Sequence, residues 1–504
     1  MNTALLLEMA AEGAGDRVAI GPLAGGCAWP DLLDRARAAA GWLAGQAGQT
    51  LVHVGLNSEA VPVALYAAGL AARPFAPVNY RLPDADLRKI LARTAPSVAV
   101  VDDDMLARAQ GIEGVDVIAR SAFLSLAKAG GEPPPEGADP EDIAILLFTS
   151  GTTGEPKAAV LRHRHLTAYV LSSVDFLGAA DDEAALVSVP PYHVAGVSAV
   201  LSATYLGRRT VYLEAFTPEA WVALARQEAI THAMVVPTML GRILDVLEKA
   251  GETLPGLRHL SYGGGRMPAA TIERALKLMP HVDFVNAYGL TETSSTVAVL
   301  NPDDHRDAVA SSDPEVRRRL GSVGRPLPAL ELEIRGGSEE LLAAGQVGEI
   351  WVRGEQVAGE YLGRRAIRDD GWFPTNDSGW LDAGGFLFVE GRLDDVIVRG
   401  GENISPGEIE DVLREHPGVA DVAVIGLPDD EWGERVAAVI APSGVAPSAA
   451  ELGAWVRARL RSTKTPEVFE FREALPYNET GKLLRRALKQ DLAARRQAVP
   501  VEGG

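Results

Sequence analysis

A single cysteine, Cys27, stands in a chain of 504 residues. An intramolecular disulfide is therefore excluded, and so is a cysteine-based metal cluster. Positive charge is also scarce: 48 Lys plus Arg face 68 Asp plus Glu, a formal net charge of -20. Such a surface argues against nucleic-acid binding by broad phosphate neutralisation, yet it leaves room for a local basic pocket that holds a nucleotide. No apolar run reaches the ~20 residues that a membrane helix needs; the longest, Ala60 to Ala72, is too short. The start, MNTALLLEMAAEGAGDR, has no basic leader region and carries Glu8 inside its apolar run. It reads as a first helix rather than a signal peptide, and the expected location is the cytoplasm. Internal repeats and low-complexity tracts are lacking too.

What is there is ordinary globular composition, 47% hydrophobic and 23% charged. At about 150 residues per domain the length suggests roughly three domains or large subdomains. Residues 1–125 alternate Ala/Leu-rich helical stretches with short apolar runs, among them Leu51–Val54, Val98–Val101 and Val115–Ile118. That alternation predicts an α/β fold with a largely parallel sheet. Lys128–Asp142, with three consecutive prolines, reads as a surface linker. Apolar Ile143–Phe148 reads as a buried strand. From Leu330–Ile334 and Gly348–Val352 the texture becomes richer in strands. Near residue 393 it changes again: the Gly400–Gly401 turn, a helix over about Pro406–Glu415, apolar strands at Val422–Gly426 and Arg435–Ala441, then helices and a basic tail. The last 110 residues or so have the size and texture of a small α+β domain.

The most informative segment follows the Ile143–Phe148 run: Thr149, Ser150, Gly151, Thr152, Thr153, Gly154, then Pro156 and Lys157. Glycines let backbone amides approach an oxyanion, hydroxyls add donors, and a lysine adds charge. The spacing is neither that of the GxxxxGK[ST] phosphate loop nor of the GxGxxG dinucleotide turn. It closely resembles the phosphate-binding signature of the adenylate-forming superfamily, which includes acyl-CoA ligases. Further matches follow in order: Tyr288–Thr293 (YGLTET), Gly371–Asp377 (GWFPTND), Gly391–Ile397 (GRLDDVI), Gly400–Glu410 (GGENISPGEIE) and Asn478–Lys482 (NETGK). Together they cover residues 145 to 485.

The resemblance implies an acyl-CoA ligase that uses ATP, Mg²⁺ and coenzyme A. It implies a large multi-subdomain N-terminal domain, residues 1–393, and a small mobile C-terminal domain, residues 394–504. By the same resemblance Lys482 reaches the carboxylate and the α-phosphate during adenylation, a step that joins two anions and needs charge neutralisation. Thr291 holds the α-phosphate, and Glu292 holds Mg²⁺ as a hard oxygen ligand. Asp377 accepts hydrogen bonds from the ribose hydroxyls, and Arg392 adds donors. Tyr288 stacks on adenine with Gly263, Gly264, Gly265 and Asn286 around the base, although a tyrosine there serves equally well as core. Asp394 is the hinge about which residues 394–504 swing, and Gly401 lines a pantetheine tunnel in the second pose. His193, in PPYHVAG, lies at the acyl pocket near the thiol entry.

Three positions depart from the pattern. Ala158 stands where relatives carry glycine, Asn376 interrupts TGD, and Arg266 follows the glycine run in place of proline or a small residue. A side chain is costly if the replaced glycine sits at positive φ or approaches a phosphate closely; asparagine tolerates left-handed geometry better than alanine. These departures raise a second reading, a thioester-forming enzyme with weak adenylation that uses a preformed acyl adenylate. As for the acid, no aspartate stands near residues 190–200 to hold an ammonium group, and Gly289 leaves the far end of the pocket open. A medium, long or polycyclic apolar acid is expected, with CoA rather than a tethered carrier as thiol. A homodimer is compatible with this reading.

Overall fold

The structure, a computed structural model, describes residues 1–132, 134, 137–149, 157–400, 402–429, 432–477 and 483–497. Contacts sort the chain into two units: Met1–Leu332 with Val352–Phe373, and Glu333–Trp351 with Pro374–Gly504.

Among the described residues the first unit holds two large sheets. One has the strand order Arg364–Arg365, Glu360–Tyr361, Lys157–Arg162, Ile143–Thr149, Phe75–Val78, Thr50–Val54, Ser97–Val101, Val115–Ala119. The apolar runs expected as strands before residue 150 are all in it, and from Ile143–Thr149 onward the neighbours pair in parallel. Lys157–Arg162 turns back antiparallel, which sets Lys157 opposite Thr149 and Ala158 opposite Phe148. The long apolar stretch near residue 60 becomes the helix Ala60–Leu70, with every residue buried. A helix apolar on all sides has no face to offer water.

The other sheet runs Arg325–Pro326, Ser295–Leu300, Asp283–Leu290, His259–Gly263, His232–Val235, Ala184–Val187, Arg209–Tyr212, Val18–Ile20, Cys27–Ala28. Its five central strands, Asp283–Leu290 to Arg209–Tyr212, are parallel. The helix Pro237–Ala250 shows why the sequence packs as it does. Proline opens it, Gly251 ends it at φ 65, and Met239, Leu240, Ile243, Leu244 and Leu247 form one buried stripe.

The change of texture after residue 330 is a four-stranded sheet ordered Glu331–Arg335, Gly348–Arg353, Phe373–Leu381, Leu387–Arg392. In the second unit Glu402–Ile404, Ile397–Arg399, Gly433–Pro442 and Val419–Asp429 pair antiparallel, and Val468–Phe471 adds in parallel to Gly433–Pro442. The two long strands are covered on both faces. Val422, Val424, Val436 and Ile440 pack with Ile409, Leu413 and Leu452, whereas Ala423, Ile425, Ala437 and Val439 pack with Leu475, Leu488 and Leu492. Two-sided burial explains why these strands read as continuous apolar runs instead of alternating. This is the α+β texture expected near the carboxyl terminus.

Candidate active site

Ligands of open α/β sheets gather beyond the carboxyl ends of parallel strands. In the nine-stranded sheet Ala184–Val187 leads to His193, His259–Gly263 to Gly264 and Gly265, and Asp283–Leu290 to Thr291 and Glu292. Parallel pairing places all these ends along one edge.

Glu292 is the centre of the arrangement. It lies in the short 3-10 turn Thr291–Thr293 and is buried. Its backbone carbonyl accepts from the amides of Ala358 (2.9 Å) and Gly359 (3.0 Å). Its carboxylate Oε1 accepts a hydrogen bond from the Tyr361 hydroxyl. Thr293 Oγ1 receives the Leu290 amide at 3.1 Å. Ser294 and Ser295 follow at φ 58 and 133. Two adjacent side-chain-bearing residues outside the usual backbone regions are strain of the kind held at functional sites. Ser294 Oγ is buried with no hydrogen-bond partner. The Ser295 hydroxyl donates to Ser198 Oγ at 3.2 Å, which ties this turn to the helix Val194–Leu206.

Thr149 ends its strand, and its hydroxyl donates to the Lys157 carbonyl at 3.4 Å. The Lys157 ammonium lies 5.7 Å from the centre of the Tyr361 ring. One tyrosine thus touches both the phosphate-loop lysine and the turn's carboxylate. Ser150, Gly151, Thr152, Thr153 and Gly154 lie outside the described residues, as do Gly401 and Lys482.

His193 precedes the helix Val194–Leu206, with its ring 4.6 Å from that of Tyr192. Burial lowers its pKa to about 4, so the imidazole is neutral at pH 7. Asn286 is buried and donates its amide to the Ser322 carbonyl at 3.0 Å. Tyr288 is half-buried on the same strand. Gly264 takes φ +78 and is exposed with Gly265 and Arg266. Gly263 is buried, and a Cβ there would come within 2.3 Å of the Ala287 carbonyl.

In the second unit the register sets Asp377 opposite Arg392. Arg392 Nη1 contacts Asp377 Oδ1 at 3.0 Å and donates to the Thr375 carbonyl at 2.8 Å. The two residues expected to serve the nucleotide therefore hold each other. Asn376 takes φ 61, the left-handed region anticipated for this position. Its amide donates to Asp394 Oδ2 at 3.0 Å.

Two expectations need correction. Ala158 sits in a regular strand, buried opposite Phe148, and it is absent from the positive-φ residues. Its side chain meets no backbone objection, so positive φ is no ground for doubting adenylation there. Gly289 does not open a pocket by lacking a side chain. The ladder shifts register between Tyr288 and Gly289, and a Cβ on Gly289 would stand 1.9 Å from the Ser295 carbonyl oxygen. Close backbone approach at this bulge requires the glycine.

The sequence matches the AMP-binding enzyme family model over residues 7–362, and the model of the AMP-binding enzyme C-terminal domain over 408–482. The chain belongs to the AMP-binding enzyme family. It is 35% identical to a feruloyl-CoA synthase of Amycolatopsis sp, across 87% of this chain and 88% of that protein. A fatty acid–[acyl-carrier-protein] ligase, ScoC of Streptomyces coeruleorubidus, is 31% identical across 88% and 86%. Among solved structures, o-succinylbenzoate CoA synthetase (MenE) of Bacillus subtilis in complex with its acyl-adenylate intermediate superposes with a TM-score of 0.84. The two share 28% identity over 96% of this chain and 97% of that one. The same synthetase has been solved with ATP and a magnesium ion. Membership makes the present chain an adenylate-forming ligase by family, and the synthetase solved in that family holds ATP and magnesium in one complex and its acyl adenylate in another.

The side chains suit that metal. No group of three or more His, Cys, Asp or Glu stands ready for an ion among the described residues. Glu292 offers one buried carboxylate, and a donor of that kind would suffice for a hard cation that arrives on nucleotide phosphates and keeps its remaining ligands as phosphate and water.

Proposed function

We propose that this ligase activates an apolar carboxylic acid, aromatic or fatty, as its acyl adenylate and passes the acyl group to CoA. The observation that carries the reading is the meeting of Lys157, Tyr361 and Glu292 beside the carboxyl ends of the strands. A cation and a metal-binding carboxylate at one point is what a step between two anions demands. The activities of the relatives, on feruloyl and fatty acyl groups, support the substrate class, as does the apolar segment around His193.

In the first step a carboxylate oxygen attacks the α-phosphorus, and the bond to the β-phosphate oxygen breaks to release pyrophosphate. Thr291 and Lys482 hold the α-phosphate, Lys157 and the hydroxyls of residues 149–153 hold the outer phosphates, and Glu292 holds Mg²⁺. Mg²⁺ held there would supply positive charge against the phosphates. Asp377 and Arg392 serve the ribose, and Tyr288, Gly264, Gly265 and Asn286 the base. In the second step the CoA sulfur attacks the acyl carbon and AMP leaves. Residues 394–504 turn about Asp394 between the steps, which withdraws Lys482 and brings Gly401 to the thiol tunnel, with His193 at its mouth. Residues 1–393 stay as the fixed body. Adenylation is fully retained in this reading, because neither Ala158 nor Asn376 is strained. A cytoplasmic location belongs to the same proposal; no helix among the described residues is long and apolar enough to cross a membrane.

Pyrophosphate exchange across a panel of acids, from acetate through cinnamates to long fatty acids, tests this directly. Exchange with aromatic or fatty acids, followed by acyl-CoA formation in the same wells, is expected. Exchange with none of them, while supplied acyl adenylate still yields acyl-CoA, would establish the reading with a lost first step. Lys482→Ala is expected to lower exchange by 100-fold or more (about 3 kcal/mol of transition-state stabilisation) and to spare thioester formation from supplied adenylate. Equal loss in both assays would remove Lys482 from its role.

A further inference from the structure

The sequence motifs pass over Tyr361, yet it lies at the point where the phosphate-loop lysine and the metal carboxylate meet. We propose that Tyr361 is a positioning residue for adenylation, whose hydroxyl orients Glu292 for Mg²⁺ and whose ring holds Lys157. The proposal rests on the reading of Glu292 as the metal carboxylate.

The local structure makes Tyr361 a brace. The two-residue strand Glu360–Tyr361 pairs antiparallel with Lys157–Arg162, Tyr361 opposite Ala159. Successive side chains of a strand point to opposite faces. On one face Glu360 is clamped bidentately by Arg162, with Nε–Oε2 at 2.9 Å and Nη2–Oε1 at 2.7 Å. On the other, the Tyr361 hydroxyl reaches Glu292 Oε1. The segment leading to the strand is fastened to the same turn. Gln356 Nε2 donates to the carbonyls of Thr293 (3.0 Å) and Thr296 (2.8 Å), and the Ala358 and Gly359 amides donate to the Glu292 carbonyl. The Leu362 amide then donates to the Ala158 carbonyl at 2.8 Å. Tyr361 is thus fixed against both the strand that begins with Lys157 and the turn that carries Glu292.

A carboxylate has two oxygens. With Oε1 committed to the tyrosine hydroxyl, Oε2 is left for a cation in one orientation. Partners that orient metal ligands in this way are worth 10–100-fold in metal affinity. The ring contributes separately, through attraction between its face and the Lys157 ammonium.

Tyr361→Phe keeps the ring and removes the hydroxyl; Tyr361→Leu removes both. Binding of Mn²⁺, a paramagnetic stand-in for Mg²⁺, is measured by electron paramagnetic resonance on the full chain with α,β-methylene-ATP bound. Tyr361→Phe is expected to weaken Mn²⁺ about 10-fold with the metal-free nucleotide affinity and Tm held. Its exchange rate is expected to recover at high Mg²⁺. Tyr361→Leu is expected to weaken metal-free nucleotide as well. Unchanged Mn²⁺ affinity in Tyr361→Phe overturns the brace. Glu292→Gln is measured alongside. If it weakens Mn²⁺ while Tyr361→Phe does not, the brace alone fails; if Glu292→Gln has no effect on Mn²⁺, the assignment of Glu292 fails and takes the brace with it.

Discussion

Asn376 shows how a departure from a motif is settled by one dihedral angle. At φ 61 a residue with a branched or apolar side chain is strained, whereas glycine and asparagine are at ease. Asn376→Gly is therefore expected to change stability by less than about 0.5 kcal/mol, while Asn376→Ala costs about 1–2 kcal/mol. Urea unfolding of the two variants decides it: equal losses would mean that the hydrogen bond to Asp394, and not the backbone, selects asparagine. Gly289 teaches the converse. Its missing side chain looks like room for substrate, but the space is already occupied by the Ser295 carbonyl oxygen. A sequence records which residue is small; which atom needs the space depends on a bulge in strand pairing that no local pattern encodes. Ala158 misleads for the same reason, since whether a glycine's replacement strains the backbone depends on φ.

At the scale of elements, much of the architecture was legible. Ile143–Thr149, Thr50–Val54 and Ser97–Val101 are bounded apolar runs, and burial on both faces of a parallel sheet writes itself into sequence as uninterrupted Val, Ile and Leu. Glu292 and Asp377 stand out in the sequence through their motifs. Tyr361 does not, because a two-residue strand has no periodicity and its partner lies 69 positions away. Nor does the polar tie inside the second unit. Glu410, on the helix Pro406–Arg414, is buried, accepts the Val424 amide at 2.7 Å, and pairs with Arg485 on the helix Arg485–Gln497. Arg485 also donates to the Val424 carbonyl at 3.0 Å. Two helices and a strand are joined through one ion pair. Arg485→Leu leaves the Glu410 charge buried, with Arg414 3.6 Å away as its remaining cation, and is expected to cost about 3–5 kcal/mol. Adding Glu410→Gln should return much of that loss in chemical unfolding; a double variant as unstable as the single one would show that packing, not charge, sets the cost.

Across the whole molecule, buried histidines make the interior sensitive to acid. His53 is fully buried, neither ring nitrogen has a partner, and Arg120 lies near enough to add repulsion. Burial lowers its pKa to about 4, and does the same to about 4 for His163 and His193 and to about 3 for His165 and His232. Each of these groups has a folded pKa below the value near 6.5 of an unfolded chain, so the unfolded state binds more protons as pH falls. At pH 7.5 both folded and unfolded states hold these rings neutral, so no protonation cost applies. Between pH 6.5 and about 4 each histidine then removes up to about 1.4 kcal/mol of stability per pH unit. Stability is expected to be flat from pH 8 to 7 and to fall steeply below 6.5, earlier than carboxylate titration alone would bring it down. His53→Leu exchanges an unsatisfied buried ring for an apolar side chain. It should hold or raise stability at pH 7.5 and make the loss between pH 6.5 and 5 shallower by about 1 kcal/mol per unit. Urea unfolding at pH 7.5, 6.5, 5.8 and 5.0 reads both quantities. An unchanged slope would mean that His53 gains a partner or water when it is charged, and that the acid sensitivity of the molecule resides in the other histidines.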